Sequence, residues 1–223
     1  MSAASPLHCA AILFDLDGVL VDSSECVERT WRRWAARHGL DPAHVIEFAH
    51  GRRTFETVQL VAPNLVAADE VAALAASEVS TTEGVYQVPG AHELLQSVPP
   101  EAWAIVTSGV RAVATLRLRH AELPLPRVLV CADDIQRGKP DPEGYLVAAQ
   151  KLGHVPADCV VVEDTPAGLE AARAAGMRVI AVSGTFPAEA LVTATLTLPR
   201  LAMLRITRAG NGSALQILST LAE

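Results

Sequence analysis

Lysine is nearly absent from this chain: only Lys139 and Lys151 occur among its 18 basic residues, the others being arginines. That scarcity makes a lysine on a stiff loop worth reading as a placed cation. Cysteine is sparse too, with Cys9, Cys26, Cys131 and Cys159 and no C-x-x-C pair. Three of the four sit inside apolar runs, so they read as reduced core thiols of a cytoplasmic protein, not as a disulfide framework. No run of about 18 apolar residues occurs, and a membrane span is not expected. Residues 1–11 lack both a basic n-region and a long apolar stretch, so no signal peptide is expected. The formal net charge is −7, which argues against a nucleic-acid partner, because that needs a basic face. No stretch demands a second subunit, and a monomer is expected.

What is present is a chain of 223 residues, half of them apolar, ample for a globular core or a core with an insertion. Residues 9–14 form a short apolar run that reads as a buried strand. After it, Val27, Trp31, Trp34, Ala35 and His38 recur at helical spacing up to Gly39. Asp22 is placed to cap that helix, with Glu25 completing a capping box. Residues 42–49, 54–60 and 69–82 read as further helices, and no strand is evident between Ser23 and Tyr86. The two tryptophans fit a buried helical stripe better than a ligand-stacking face. From residue 91 onward short apolar strands alternate with helices, the pattern of a parallel sheet covered on both faces. In the tail, Asn211-Gly212 between apolar runs signals a hairpin at the sheet edge. The fold class is therefore α/β, a Rossmann-like parallel sheet with helices on both faces and an inserted, small all-helical domain. Residues 1–19 and 87–223 form the core, and residues 20–86 the insertion.

Four strand ends carry the chemistry. The first strand ends in Asp15-Leu16-Asp17-Gly18, two carboxylates that repel unless a cation or a shared proton relieves them. An acidic turn is one reading and a Mg²⁺ site the other, since hard oxygens at the carboxyl end of a strand suit that ion. Val106 is followed by Thr107-Ser108-Gly109, either a routine helix N-cap or a seat for an anionic oxygen. Lys139 lies between Gly138 and Pro140, as a solvated lysine or as a cation held on a stiff loop. Val160-Val161-Val162 ends in Glu163-Asp164, which either favours the next helix N-terminus or completes a metal site with Asp15.

The ordered set D-x-D-G-V-L-x-D, V-T-S-G, G-K-P-x-P and V-V-E-D-T-P-A-G resembles the haloacid dehalogenase superfamily in its phosphatase branch, over essentially the whole chain. The resemblance implies that Asp15 is the nucleophile and Asp17 the general acid and base, its backbone carbonyl also binding Mg²⁺. It implies that Thr107, Ser108 and Gly109 hold phosphoryl oxygens, that Lys139 offsets charge, and that Asp164 binds Mg²⁺ with Glu163 supporting the metal shell. The helical insertion resembles that branch's small cap, closing on hinges near residues 19–23 and 82–88. Its segment from His50 to Thr57 is similar to that of glycerol-3-phosphate and 2-deoxyglucose-6-phosphate phosphatases. Arg53 fits that segment better than Arg52 as a substrate contact, and Glu56 either orients an arginine or accepts a sugar hydroxyl. Phosphosugar mutases and phosphonate hydrolases of the superfamily use a cap lysine, and residues 20–86 contain none. The reaction implied is hydrolysis of a small sugar or polyol phosphate. A phosphosugar mutase resembling β-phosphoglucomutase and a catalytically silent phosphometabolite-binding protein are the alternatives.

Overall fold

The computed structural model describes residues 6–208 and 214–219. Its first apolar run divides at Ala10 into β1 (Leu7–Cys9) and β2 (Ala11–Phe14). Strand β3 (Val21–Asp22) then leads into four helices, α1 (Ser24–His38), α2 (Pro42–Ala49), α3 (Thr54–Val61) and α4 (Ala67–Val79). Strand β4 (Tyr86–Gln87) returns to pair antiparallel with β3, so a two-stranded ribbon brackets the helices. Alternation follows: α5 (Ala91–Ser97), β5 (Trp103–Val106), α6 (Arg111–His120), β6 (Val128–Val130), α7 (Glu143–Leu152), β7 (Cys159–Glu163), α8 (Pro166–Ala174) and β8 (Arg178–Val182). The chain closes with β9 (Leu196–Leu198), β10 (Leu204–Arg208) and β11 (Leu215–Ser219).

The main sheet has six strands in the order β6-β5-β2-β7-β8-β9, every neighbouring pair parallel. Alternate residues of each strand point to opposite faces. Ile12, Phe14, Ile105 and Val162 pack with Leu94, Leu95 and Leu118 of α5 and α6. Leu13, Ala104 and Val161 pack with Tyr145, Ala148 and Leu169 of α7 and α8. Burial on both faces is why these strands are unbroken apolar runs. In the middle of the sheet Phe14 pairs with Val162 on one side and Ile105 on the other. That register delivers Asp15, Glu163-Asp164 and Thr107 to one end of the sheet, where open parallel sheets bind ligands.

Helices α1–α4 enclose their own apolar cluster, including Trp31, Trp34, Val45, Val58 and Leu74. Trp34 is fully buried, lies edge-on to Trp31 at 5.3 Å between ring centroids, and donates its indole N–H to Glu70 Oε2 at 2.7 Å. Truncating such a side chain costs about 3–5 kcal/mol, so the core role expected of Trp34 accounts for it.

Three local expectations are corrected. Helix α1 starts at Ser24, not behind an Asp22–Glu25 capping box, because Val21 and Asp22 are drawn into the ribbon. Asp22 Oδ1 accepts from the Ser24 N–H at 3.1 Å, and the hydroxyl of Ser23, in the cap position, turns away to Asp17. The run at residues 9–14 serves two sheets, since β1 leaves the main sheet to pair with β11. The tail strands β10 and β11 do pair antiparallel. They form a separate three-stranded sheet with β1 and do not extend the main one, whose edge strands are β6 and β9. Asn211 and Gly212 lie outside the described residues.

All four cysteines are free and buried. Burial pushes the thiols of Cys9 and Cys131 up to about 12 and that of Cys159 up to about 11. The thiolate is the reactive form, and Cys26 is shielded by its burial alone, so a thiol reagent at neutral pH is expected to label none of the four in the native protein and all four after denaturation. Rapid native labelling would contradict this packing.

Candidate active site

Asp15 leaves β2 with its N–H donated to Val162 O at 2.9 Å, and its buried carboxylate accepts from Lys139 Nζ. The same ammonium donates to Glu163 Oε1 at 2.5 Å. Burial pushes the Asp15 carboxyl up to about 7, with Lys139 opposing the shift. Burial also works against a charged Lys139, yet Asp15 and Glu163 hold its pKa well above the ordinary lysine value. Glu163 is satisfied on both oxygens. Lys139 and the Tyr145 hydroxyl donate to Oε1, and the Asp164 N–H, the Thr165 N–H and the Thr165 hydroxyl donate to Oε2. These bonds and Lys139 keep its pKa below the ordinary value, although burial favours the neutral acid.

Asp164 differs. Its Oδ2 accepts from the Thr185 hydroxyl, while Oδ1 is buried and without a hydrogen-bond partner among the described residues. Burial, with Glu163 and Asp15 nearby, raises its pKa well above the usual range. Carboxylate oxygens of Asp15, Glu163 and Asp164 lie within 4.8 Å of one another. An unpartnered buried oxygen within a set of hard oxygen donors fits a small divalent cation. Gly18 adjoins this set at φ +87°, where a Cβ would overlap the Asp164 carboxylate. Only glycine allows that approach.

Asp17 accepts at Oδ1 from the Ser23 hydroxyl and from Arg117 Nη1, both at 2.7 Å. Its Oδ2 faces the Thr107 hydroxyl at 3.5 Å. The Gly109 N–H donates to Thr107 Oγ1 at 3.0 Å, and the Ser108 hydroxyl donates to Gly51 O at 2.9 Å. The Thr107–Gly109 turn thus joins the core to the loop between α2 and α3. Asp15, Asp17, Thr107 and Asp164 line a cavity of about 100 Å³ whose opposite wall includes His50 and Arg52.

The two adjacent arginines part company. Arg53 is buried and turned away from the cavity: it donates to the carbonyls of Ala132, Ile135 and Gln136 at 3.3, 2.8 and 2.5 Å and pairs with Glu56. Glu56 in turn accepts from the Gly138 N–H at 3.0 Å. Glu56 thus orients an arginine, one of the two roles read for it, while Arg53, read as a substrate contact, instead fastens α3 to the loop that carries Lys139. Arg52, not Arg53, lines the cavity, and its guanidinium has no hydrogen-bond or ion-pair partner among the described residues. Arg117 was not anticipated. The signal was its position on the buried stripe Val113, Ala114, Arg117, Leu118 of α6, where a charge requires a partner.

Residues 9–176 match the haloacid dehalogenase-like hydrolase family. Hexitol phosphatase A of Escherichia coli is 43% identical over 211 residues, covering 92% of this chain and 98% of that protein. Glycerol-1-phosphate phosphohydrolase 2 of Saccharomyces cerevisiae is 35% identical, covering 81% of this chain and 77% of that protein. Among solved structures, CbbY from Rhodobacter sphaeroides in complex with phosphate superposes with a TM-score of 0.77 at 25% identity, covering 87% of this chain and 95% of that one. No helix among the described residues is long and apolar enough to cross a membrane. On its motifs, its sheet and these likenesses, the chain belongs to the haloacid dehalogenase-like hydrolase family.

Proposed function

We propose that this protein is a Mg²⁺-dependent phosphatase of small sugar or polyol phosphates, with residues 20–86 as its cap. The observation that carries the reading is Lys139 bridging the Asp15 and Glu163 carboxylates beside the unpartnered Oδ1 of Asp164. A phosphoryl group repels a carboxylate nucleophile, and this end of the sheet supplies positive charge and a cation seat to offset that repulsion. Asp15 and Asp164, with the backbone carbonyl of Asp17, would hold Mg²⁺, which would screen charge between nucleophile and phosphate. Glu163, satisfied by five donors, positions Lys139 and the loop at residues 164–165.

Asp15 attacks phosphorus as the bond to the leaving oxygen breaks, giving an aspartyl-phosphate. Asp17 delivers a proton to that oxygen, then takes one from the water that hydrolyses the acyl phosphate. The Thr107 hydroxyl and the Ser108 N–H receive phosphoryl oxygens. Arg52, extending from the cap with no partner among the described residues, reads the hydroxyls or a second anionic group of the substrate. The relatives named for hexitol and glycerol phosphates support a polyhydroxy leaving group.

Phosphate release with Mg²⁺ across hexitol, hexose 6-, 2-deoxyglucose 6- and glycerol phosphates, phosphoglycolate and β-glucose 1-phosphate tests the reading. Release from polyol or sugar esters is expected, and a chelator should abolish it. Conversion of β-glucose 1-phosphate to the 6-phosphate without release would make the protein a mutase, and binding without turnover would make it a binding protein. The sequence of the cap favours hydrolysis, because it contains no lysine.

A further inference from the structure

The guanidinium of Arg117 is buried between the core and the helical block. Its Nη1 donates to Asp17 Oδ1 at 2.7 Å, and its Nη2 donates to Glu78 Oε1 of α4 at 2.6 Å. Only a forked, planar cation answers two carboxylates on two sides at once. The Ser23 hydroxyl donates to the same Asp17 oxygen. Oδ1 therefore has two firm donors, and Oδ2, with only Thr107 at 3.5 Å among the described residues, is the oxygen left toward the cavity. A proton-transfer group must be aimed before its pKa matters, and here the aim comes from outside the motif that supplies the acid.

We propose that Arg117 is a positioning residue for proton transfer: anchored by Glu78 of the helical block, it fixes the Asp17 carboxylate so that Oδ2 faces the leaving oxygen. This rests on the reading of Asp17 as general acid and base. Loss of Arg117 would let the carboxylate rotate without disturbing Asp15, Lys139 or Asp164, none of which it contacts among the described interactions.

The test compares kcat/KM, which reads only the first transfer to Asp15, for a polyol phosphate and for p-nitrophenyl phosphate. An alkoxide leaves only with a proton, whereas p-nitrophenolate leaves without one. Arg117→Ala is expected to lower kcat/KM on the polyol ester on the order of 10²-fold and on the aryl ester less than about threefold. Added guanidinium should restore part of the polyol activity alone. Equal losses on both esters, or no loss, would overturn the proposal. Arg117→Lys guards against a misfolded alanine variant, since it keeps the charge but not the fork, and the same unequal loss, smaller, is expected. Asp17→Asn runs beside them. If that variant shows no inequality, the role of Asp17 itself falls. If it shows the inequality and both Arg117 variants do not, the role of Arg117 alone falls.

Discussion

Asp15→Asn is expected to lower phosphate release from every substrate on the order of 10⁴-fold or more while leaving the protein folded. Asparagine keeps the shape and an acceptor oxygen for Lys139 but has no anion to attack phosphorus. No neighbour offers a substitute. Asp164 is fixed by Thr185, Glu163 is saturated with donors, and Asp17 is held by Ser23 and Arg117. Residual release above about a tenth of the wild-type rate would displace Asp15 from the nucleophile's role. The same variant carries a stability signature. Because burial raises the Asp15 pKa from 3.8 to about 7, the stability this group supplies is fully present below its ordinary pKa. It is lost as pH rises through about 7, where the unfolded chain releases the proton more readily. The variant has no such loss. In metal-free buffer, its melting temperature relative to wild type should therefore rise between about pH 4 and pH 7. A difference that falls over that interval would mean that Lys139 outweighs burial at Asp15.

What the sequence disclosed and what it withheld divide along the range of the interactions. The central strands were legible because both faces of the sheet are covered, which forces continuous apolar runs at residues 11–14, 103–106 and 159–162. Lys139 was legible through scarcity. The β3–β4 ribbon and the division at Ala10 were not, since strands of two or three residues have no period to detect. The resemblance favoured Arg53 over Arg52 and the structure reverses them, because neighbours entering a helix project to different sides and nothing local says which side meets the core. Arg117 falls on the apolar stripe of its helix, which calls for a partner without saying which. Only the pairing of α6 with α4 across 39 residues gives it Glu78. The donors on Glu163 come in part from Lys139 and Tyr145, 24 and 18 residues away, so its role as an anchor emerges only after folding.

Gly168→Ala should destabilise the protein and remove activity, against the usual rule for helices. In a helix interior alanine is favoured over glycine by about 1 kcal/mol, an upper bound for Gly168 in the first turn of α8. Gly168, however, is the floor under Glu163: a Cβ there would overlap Oε1, Cδ and Oε2 of that carboxylate. The carboxylate is fully buried and held by five donors in its present position. Displacing it strips a buried charge of its bonds, which costs about 3–5 kcal/mol, several times the propensity gained. It also frees Lys139 from one of its two carboxylates and loosens the loop that carries Asp164. The expected result is a melting temperature lowered by several degrees and phosphate release reduced for polyol and aryl esters alike. The uniform loss separates this site from Arg117, whose removal should spare the aryl ester. A stabilised, active Gly168→Ala protein would mean that Glu163 can be moved without consequence, and the anchoring of Lys139 would then have to lie elsewhere.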